Sequence, residues 1–130
     1  MNRNMKILYV DDSPTILDML SSTLLELGFL DTKSAEDGFE ALTLCEEEEY
    51  DFIITDINMP NMNGFDFIEN IRNKYQYMST PILVLTTESS EAMKKRGFEV
   101  GATSWMVKPF TLELLADSME KTVQKVEEGI

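Results

Sequence analysis

The sequence predicts an α/β fold in which helices cover both faces of a parallel sheet. Short apolar runs alternate along the chain with longer segments that have helical periodicity. The apolar runs lack the polar alternation of a half-exposed strand, which indicates strands buried on both faces. Strands that alternate with amphipathic helices are typical of repeated βαβ units.

The first unit is predicted at residues 6–28, and the run 6–10 is its strand. Ser13 is a suitable N-cap, and Pro14 fits a first helical turn because the amide there has no partner. Gly28 is a common helix terminator. Between these signals, apolar residues recur at helical spacing: Ile16, Leu17, Leu20, Leu24 and Leu27.

The second unit has a weaker strand at about residues 30–35. Its helix is predicted to begin at Glu36 or Asp37 and to end near Glu47. Three residues are expected to share its buried face: Phe39, Leu42 and Cys45.

The third unit begins with the apolar run 52–55, which stops at a single carboxylate, Asp56. The segment 59–64 has the proline, asparagines and glycine of a loop. A helix is predicted from Gly64 to about Lys74, with three apolar residues facing inward: Phe65, Ile68 and Ile71.

The last two units complete the pattern. The run 81–85 is a buried strand, and a short helix at about 90–99 ends before Gly101. The last strand is predicted at 105–107, and Thr111 is the N-cap of the final helix. The apolar face of that helix is predicted to contain Leu112, Leu115, Met119, Val123 and Val126.

Five such units predict a flavodoxin-like (βα)5 doubly wound sheet with strand order 2-1-3-4-5. In a parallel sheet, the carboxyl ends of all strands lie at one edge, where open α/β sheets bind ligands. Polar residues follow strands 1, 3, 4 and 5 there: Asp11, Asp12, Asp56, Thr86, Thr87 and Lys108. Each could simply cap a helix or end a strand, but their convergence on one cleft favours a site.

The predicted cluster has a definite chemistry. Three neighbouring carboxylates repel one another and attract a cation, and oxygen ligands suit Mg²⁺ or Mn²⁺. An aspartate can also act as a nucleophile and form an acyl phosphate. Lys108 and the metal would stabilise charge on an incoming phosphoryl group, and the Thr86 hydroxyl could donate a hydrogen bond to it.

Composition limits the function classes. We expect the chain, 1–130, to be a single domain with a full core. The net charge of −13 disfavours nucleic-acid binding, and the absence of histidine removes His-based catalysis, His metal sites and a histidine phosphodonor role. A single cysteine and no long apolar run predict a cytoplasmic protein without membrane insertion.

Over residues 5–126 the chain resembles the receiver domain of two-component response regulators. Several motifs carry the resemblance, in the order of that family: Val10-Asp11-Asp12-Ser13, the block from Asp56 to Gly64, Thr86-Thr87-Glu88 and Lys108-Pro109-Phe110. Because no output domain is attached, the chain is similar to the single-domain chemotaxis (CheY-like) type.

The resemblance implies a role for each site residue. Asp56 would be the phosphoacceptor, and Lys108 would contact the phosphoryl group next to a cis peptide bond to Pro109. Mg²⁺ would be bound by Asp12 and Asp56, with help from Asp11, often through water, and from a backbone carbonyl, that of Asn58.

The resemblance also implies a switch. Thr86 would be the switch hydroxyl. Trp105 would be the switch aromatic, at a position where tyrosine is commoner in the family. Asn58 and Glu88 would tune hydrolysis, and both resemble the side chains of fast-cycling members. Rearrangement of the surface formed by helix 4, strand 5 and helix 5 would then recruit a partner.

We therefore expect a phosphorylation-activated signalling switch that acts in chemotaxis and has no enzymatic activity beyond its own phosphorylation and dephosphorylation. The expected partners are a histidine kinase as phosphodonor, a downstream target protein and a phosphatase. The basic run 94–96 on helix 4 is either ordinary helix solvation or a docking patch for an acidic helix.

Other functions are consistent with parts of the sequence. The main alternative is a phosphate sink or phosphorelay intermediate without a direct output target. A haloacid-dehalogenase-type phosphatase is disfavoured because Asp11 and Asp12 are adjacent, whereas that class spaces its acids two residues apart. A phosphorylation-independent binding module is disfavoured because the acid set is complete.

Overall fold

The computed structural model describes residues 1–129, and within them the five predicted βα units are present in the predicted order. The strands are β1 (Ile7–Val10), β2 (Thr32–Ala35), β3 (Phe52–Thr55), β4 (Ile82–Thr86) and β5 (Ser104–Val107). The helices are α1 (Pro14–Glu26), α2 (Gly38–Glu47), α3 (Gly64–Arg72), α4 (Glu91–Val100) and α5 (Leu112–Glu127). A 3₁₀ turn, Tyr75–Tyr77, precedes β4.

All strand pairs are parallel, and the strand order is β2-β1-β3-β4-β5. The predicted (βα)5 flavodoxin-like topology is therefore confirmed. Alternate residues of the central strands point to opposite faces, so that β1, β3 and β4 contribute to two cores. One core lies beneath α1 and α5, and the other lies beneath α2, α3 and α4.

The predicted capping residues act as expected. The Ser13 hydroxyl accepts a hydrogen bond from the Ile16 amide at 3.3 Å, with Pro14 at the start of α1. The Thr111 hydroxyl accepts one from the Leu114 amide at 3.1 Å. These contacts satisfy amides that a helix leaves without partners.

The buried face of α2 differs from the prediction. Phe39 is 55 % exposed, whereas Gly38, Ala41 and Cys45 are buried and Leu42 is half-buried. A face traced through 39, 42 and 45 advances three residues at each step and drifts around a helix with 3.6 residues per turn. Residues 38, 41 and 45 are spaced by three and then four positions, which follows that period more closely. The face that they form is therefore the one that packs on the sheet.

The loop between β3 and α3 is fastened to the start of α2. The side-chain amide of Asn61, a residue with φ of 67°, donates to Asp37 Oδ2 at 2.8 Å. The Gly38 amide donates to the Met62 carbonyl at 3.1 Å. A Cβ at Gly38 would lie 2.6 Å from Met62 Cγ, so only glycine permits this approach. The loop that leaves the site is thereby fixed.

Near the amino ends of β4 and β5, the guanidinium of Arg72 is half-buried and makes three hydrogen bonds. It donates to the carbonyls of Gly101 at 2.9 Å and Tyr77 at 2.6 Å, and to Thr103 Oγ1 at 3.3 Å. Burial lowers the pKa of Arg72 to about 10, so that the group is still charged at neutral pH.

Candidate functional site

The carboxyl edge of the sheet brings together the side chains that the sequence singled out. Asp11 follows β1, Asp56 follows β3, Thr86 ends β4 and Lys108 follows β5. Because β1, β3, β4 and β5 are neighbours in the sheet, the four residues converge on one cleft. Asp11, Asp56 and Thr86 are buried, and this concentration of polar groups at a buried strand edge is typical of a functional site.

The ammonium group of Lys108 bridges two of the acids. Its Nζ donates to Asp11 Oδ2 at 2.7 Å and to Asp56 Oδ2 at 2.9 Å. All three side chains are at least 88 % buried, so the ion pairs are little screened by water. The peptide bond from Lys108 to Pro109 is cis, as the resemblance implied.

These contacts shift the ionisation of two groups. Burial raises the pKa of the Asp11 carboxyl, and the hydrogen bond from Lys108 only partly offsets that effect. For Lys108, burial disfavours the charged form, but the hydrogen bonds from the ammonium to Asp11 and Asp56 outweigh burial and raise its pKa. Lys108 is therefore a fixed positive charge at any pH near neutrality.

Backbone groups hold the Asp56 carboxylate in place. Its Oδ1 accepts hydrogen bonds from the amides of Ile57 at 2.6 Å and Asn58 at 3.4 Å. The Thr55 hydroxyl donates to the Asp56 carbonyl at 2.8 Å. A Cβ on Gly64 would lie 2.1 Å from that carbonyl oxygen, so the loop closes tightly over Asp56 only because residue 64 is glycine.

Asp11, Asp12 and Asp56 form a cluster that could hold a metal ion. One carboxylate oxygen from each lies within 4.8 Å of the others. Asp12 is exposed, whereas Asp11 and Asp56 are buried, so the cluster opens to solvent on the Asp12 side. Oxygen ligands of high charge with access to water fit the preferences of Mg²⁺.

A hydrogen bond links the two loops beside the cleft. The side-chain amide of Asn58 donates to Glu88 Oε1 at 2.9 Å, which joins the loop after β3 to the loop after β4. The Glu88 amide in turn donates to Thr86 Oγ1 at 3.3 Å. The two residues expected to tune hydrolysis are thus in direct contact, which sequence separation alone did not reveal.

Trp105 is half-buried and turned toward α3 and α4. Its indole Nε1 donates to the Glu88 carbonyl at 3.0 Å, and its ring stacks on Phe65 with centroids 6.5 Å apart. The sequence marked Trp105 as a switch aromatic but did not identify Phe65 or Gly97 as its neighbours. A glycine inside an α-helix was the available signal, because such a residue often marks a close approach.

The basic residues of α4 have different surroundings. Lys94 Nζ lies 3.7 Å from Glu91 Oε1. The guanidinium carbon of Arg96 lies 4.2 Å from the centroid of the Phe65 ring. Lys95 is exposed. Arg96 therefore packs on Phe65, whereas ordinary helix solvation would leave all three basic side chains in water.

None of the helices in residues 1–129 combines the length and apolar character needed to cross a bilayer.

Comparison with known proteins identifies the family. Residues 7–120 match the model of the response regulator receiver domain. The chain therefore belongs to the receiver-domain family of response regulators.

Individual relatives match nearly the whole chain. The chemotaxis protein CheY-3 of Vibrio cholerae serotype O1 is 36% identical over 126 residues, which are 97% of both chains. The chemotaxis protein CheY of Pseudomonas aeruginosa is 35% identical and covers 94% of this chain and 98% of its own. A crystal structure of Vibrio cholerae CheY4 has a TM-score of 0.87 at 45% identity and covers 92% of this chain and 98% of its own.

Proposed function

We propose that this chain, as a single receiver domain over residues 1–130, is a phosphorylation-activated switch with Asp56 as its phosphoacceptor. The observation that carries the proposal is the position of the Lys108 ammonium, 2.9 Å from Asp56 and 2.7 Å from Asp11. A cation held there by two acids lies where negative charge would develop during phosphoryl transfer to Asp56.

The transfer is a displacement at phosphorus. An oxygen of Asp56 forms a bond to the phosphorus of a phosphohistidine, and the electron pair of the broken P–N bond returns to the imidazole. The chain has no histidine, so the donor is another protein, and a histidine kinase is the donor class. Hydrolysis reverses the state, because water attacks phosphorus and the electron pair of the P–O bond returns to Asp56.

Other residues serve the same chemistry. Asp11, Asp12, Asp56 and the Asn58 carbonyl would hold Mg²⁺, or alternatively Mn²⁺. When bound, the ion supplies positive charge against the phosphoryl oxygens. The Thr86 hydroxyl accepts a hydrogen bond from the Glu88 amide, and its own proton is available for donation to a phosphoryl oxygen.

Asn58 and Glu88 flank the cleft and would tune hydrolysis. Because these side chains resemble those of fast-cycling family members, we expect a short-lived phosphoryl group. A phosphorylated form stable for many hours would contradict this expectation.

The output surface is proposed to be formed by α4, β5 and α5, with Trp105 as the aromatic that responds to Thr86. The relatives in Vibrio cholerae and Pseudomonas aeruginosa are named as chemotaxis proteins, which supports a chemotaxis role, a chemotaxis-type kinase and a cytoplasmic location here. A downstream protein would bind this surface, and a phosphatase could act on Asp56. The chemistry of the chain itself is limited to its own phosphorylation and dephosphorylation.

A phosphate sink or relay intermediate is the second candidate. The chain is also similar to the signal receiver domain of a signal transduction histidine kinase from Syntrophus aciditrophicus, with 29% identity and a TM-score of 0.83 over 95% of this chain and 92% of the other. We keep this candidate because that name shows that receivers of this fold also occur as parts of kinases. The two candidates differ in one property. A switch gains affinity for a target protein when beryllofluoride is added with Mg²⁺, whereas a sink does not.

The decisive experiment is intact mass spectrometry after incubation with acetyl phosphate and Mg²⁺. The wild type should gain the mass of one phosphoryl group, and Asp56→Asn should not. Asp117→Asn, which changes an exposed carboxylate on α5, is the matched control and should behave as the wild type. If the wild type gains no mass with Mg²⁺ or Mn²⁺, the proposal is wrong.

A further inference from the structure

Gly97, in the middle of α4, is buried against the indole of Trp105. A Cβ at this position would lie 2.5 Å from Trp105 Cζ3 and 2.8 Å from Cε3, closer than real Cβ atoms approach. Glycine is also unfavourable inside a helix. Its presence here is therefore explained by the space that the indole needs.

The indole, in turn, holds the loop that follows β4. Its Nε1 donates to the Glu88 carbonyl at 3.0 Å, while the ring stacks on Phe65 at an interplanar angle of 27°. Arg96, the neighbour of Gly97, lies over the same Phe65 ring. Helix α4 and the indole thus share one packing unit, and the position of the Glu88 backbone depends on it.

Glu88 connects this unit to the cleft. Its carboxylate accepts a hydrogen bond from the side-chain amide of Asn58 at 2.9 Å. The backbone amide of Asn58 donates to Asp56 Oδ1 at 3.4 Å. A continuous series of contacts therefore runs from Gly97 through Trp105 and Glu88 to Asn58, beside the phosphoacceptor.

We propose that Gly97 is a positioning residue for the loss of the phosphoryl group from Asp56. By admitting the indole, it fixes the Glu88 carbonyl and with it the Asn58–Glu88 hydrogen bond beside the cleft. Displacement of the indole frees the loop after β4, weakens that hydrogen bond and opens the phosphoryl group to water. This inference rests on the proposed function, since it concerns the lifetime of the same phosphoryl group.

The space requirement is tested without any phosphorylation, by a double-mutant cycle in thermal unfolding. Gly97→Ala should lower the unfolding midpoint in the presence of Trp105, although alanine favours helix. In Trp105→Val, which removes the ring, the same change should raise the midpoint. Ala92→Gly, at an exposed position in the first turn of α4, gives the effect of a glycine in this helix away from the indole. A higher midpoint for Gly97→Ala in both backgrounds would overturn the proposal.

The chemical role is tested by phosphate release after acetyl phosphate is removed by rapid desalting. Gly97→Ala and Trp105→Val should each release phosphate about two- to tenfold faster, the size expected for one lost hydrogen bond. The double variant should be no faster than Trp105→Val, and the control Ala92→Gly should match the wild type. Unchanged release from Gly97→Ala, or faster release from Ala92→Gly, would refute the positioning role.

The two proposals can fail separately. If the wild type never gains phosphoryl mass, the proposed function fails and the positioning role fails with it, while the thermal cycle still decides whether Gly97 and Trp105 form a size-matched pair. If the wild type is phosphorylated but the release rates are equal, only the positioning role fails. Trp105 is the sole tryptophan, so a red shift of its emission in Gly97→Ala would verify that the indole has moved.

Discussion

The Lys108 ammonium lies 2.9 Å from Asp56 Oδ2, although 52 positions separate the two residues in sequence. The same ammonium contacts Asp11 at 2.7 Å, so one cation compensates two buried carboxylates. The arrangement makes the stability of the fold depend on the charge balance of the cleft.

Lys108→Met should therefore destabilise the protein. Removing one partner of a buried ion pair leaves uncompensated charge, and we expect a loss of about 3–5 kcal/mol in urea unfolding at neutral pH. Added Mg²⁺ should reduce this loss, because the acid cluster without the Lys108 cation binds Mg²⁺ more tightly and is stabilised more by it than the wild type is. Lys121→Met, which removes an exposed pair with Asp117, should change stability by about 0.5 kcal/mol or less. Equal losses for both variants would contradict the prediction.

Asp37 should give the protein a pH-dependent component of stability. Hydrogen bonds from the Glu40 amide and then the Asn61 side chain lower the pKa of Asp37 from its ordinary value of 3.8. A carboxyl with a lowered pKa stabilises the fold above the unfolded pKa, and the contribution disappears as the pH falls through the folded pKa.

Asp37→Ala should thus cost about 1 kcal/mol at neutral pH, the usual effect of losing an N-cap. The difference from the wild type should shrink as the pH falls below 3.8, as measured by urea unfolding across the pH range. Asp31→Ala, at an exposed carboxylate before β2, is the control. A difference that stays constant with pH would show that the ionised form is not what stabilises α2.

The two tyrosines of the 3₁₀ turn should respond very differently to loss of the hydroxyl. Tyr77 is fully buried, and its hydroxyl contacts the Glu48 carbonyl at 2.9 Å and accepts from the Tyr50 amide at 3.1 Å. Tyr77→Phe should cost about 1–3 kcal/mol, because the buried Tyr50 amide and the partly buried Glu48 carbonyl both lose a hydrogen-bond partner. Tyr75 is 88 % exposed, so Tyr75→Phe should have almost no effect in the same unfolding assay.

Cys45 should be unreactive in the folded protein. It is 2 % exposed, and burial raises the pKa of its thiol to about 11. Since the thiolate is the reactive form, alkylation at neutral pH should be far slower in buffer than in denaturing urea. Rapid labelling of the native protein would show that α2 opens readily from the sheet.

The sequence predicted the strand order and the members of the cleft because each depends on local patterns. Apolar runs, caps and a parallel topology are sufficient to bring Asp11, Asp56 and Lys108 to one edge. The error at Phe39 arose because residues 39, 42 and 45 are all apolar, whereas the face that packs on the sheet begins at Gly38, which has no apolar side chain to mark it.

Contacts between side chains from different units were not predictable in the same way. The Asn58–Glu88 hydrogen bond and the packing of Trp105 on Gly97 depend on rotamers and on the height of α4 above the sheet. Neither quantity has a periodic signature in sequence. Tyr77 is a further example, because its position in the sequence does not reveal that its hydroxyl donates a hydrogen bond to the Glu48 carbonyl at the end of α2.

Arg72 has a mechanical consequence for any rearrangement that begins at Asp56. Its guanidinium holds the Gly101 carbonyl, where α4 ends, together with the Tyr77 carbonyl and Thr103. The start of α4, by contrast, follows the loop that carries Glu88. If the Glu88 loop moves when Asp56 is phosphorylated, we expect α4 to turn about its anchored end at Gly101. The displacement would then be largest in the first turn of the helix, nearest the cleft.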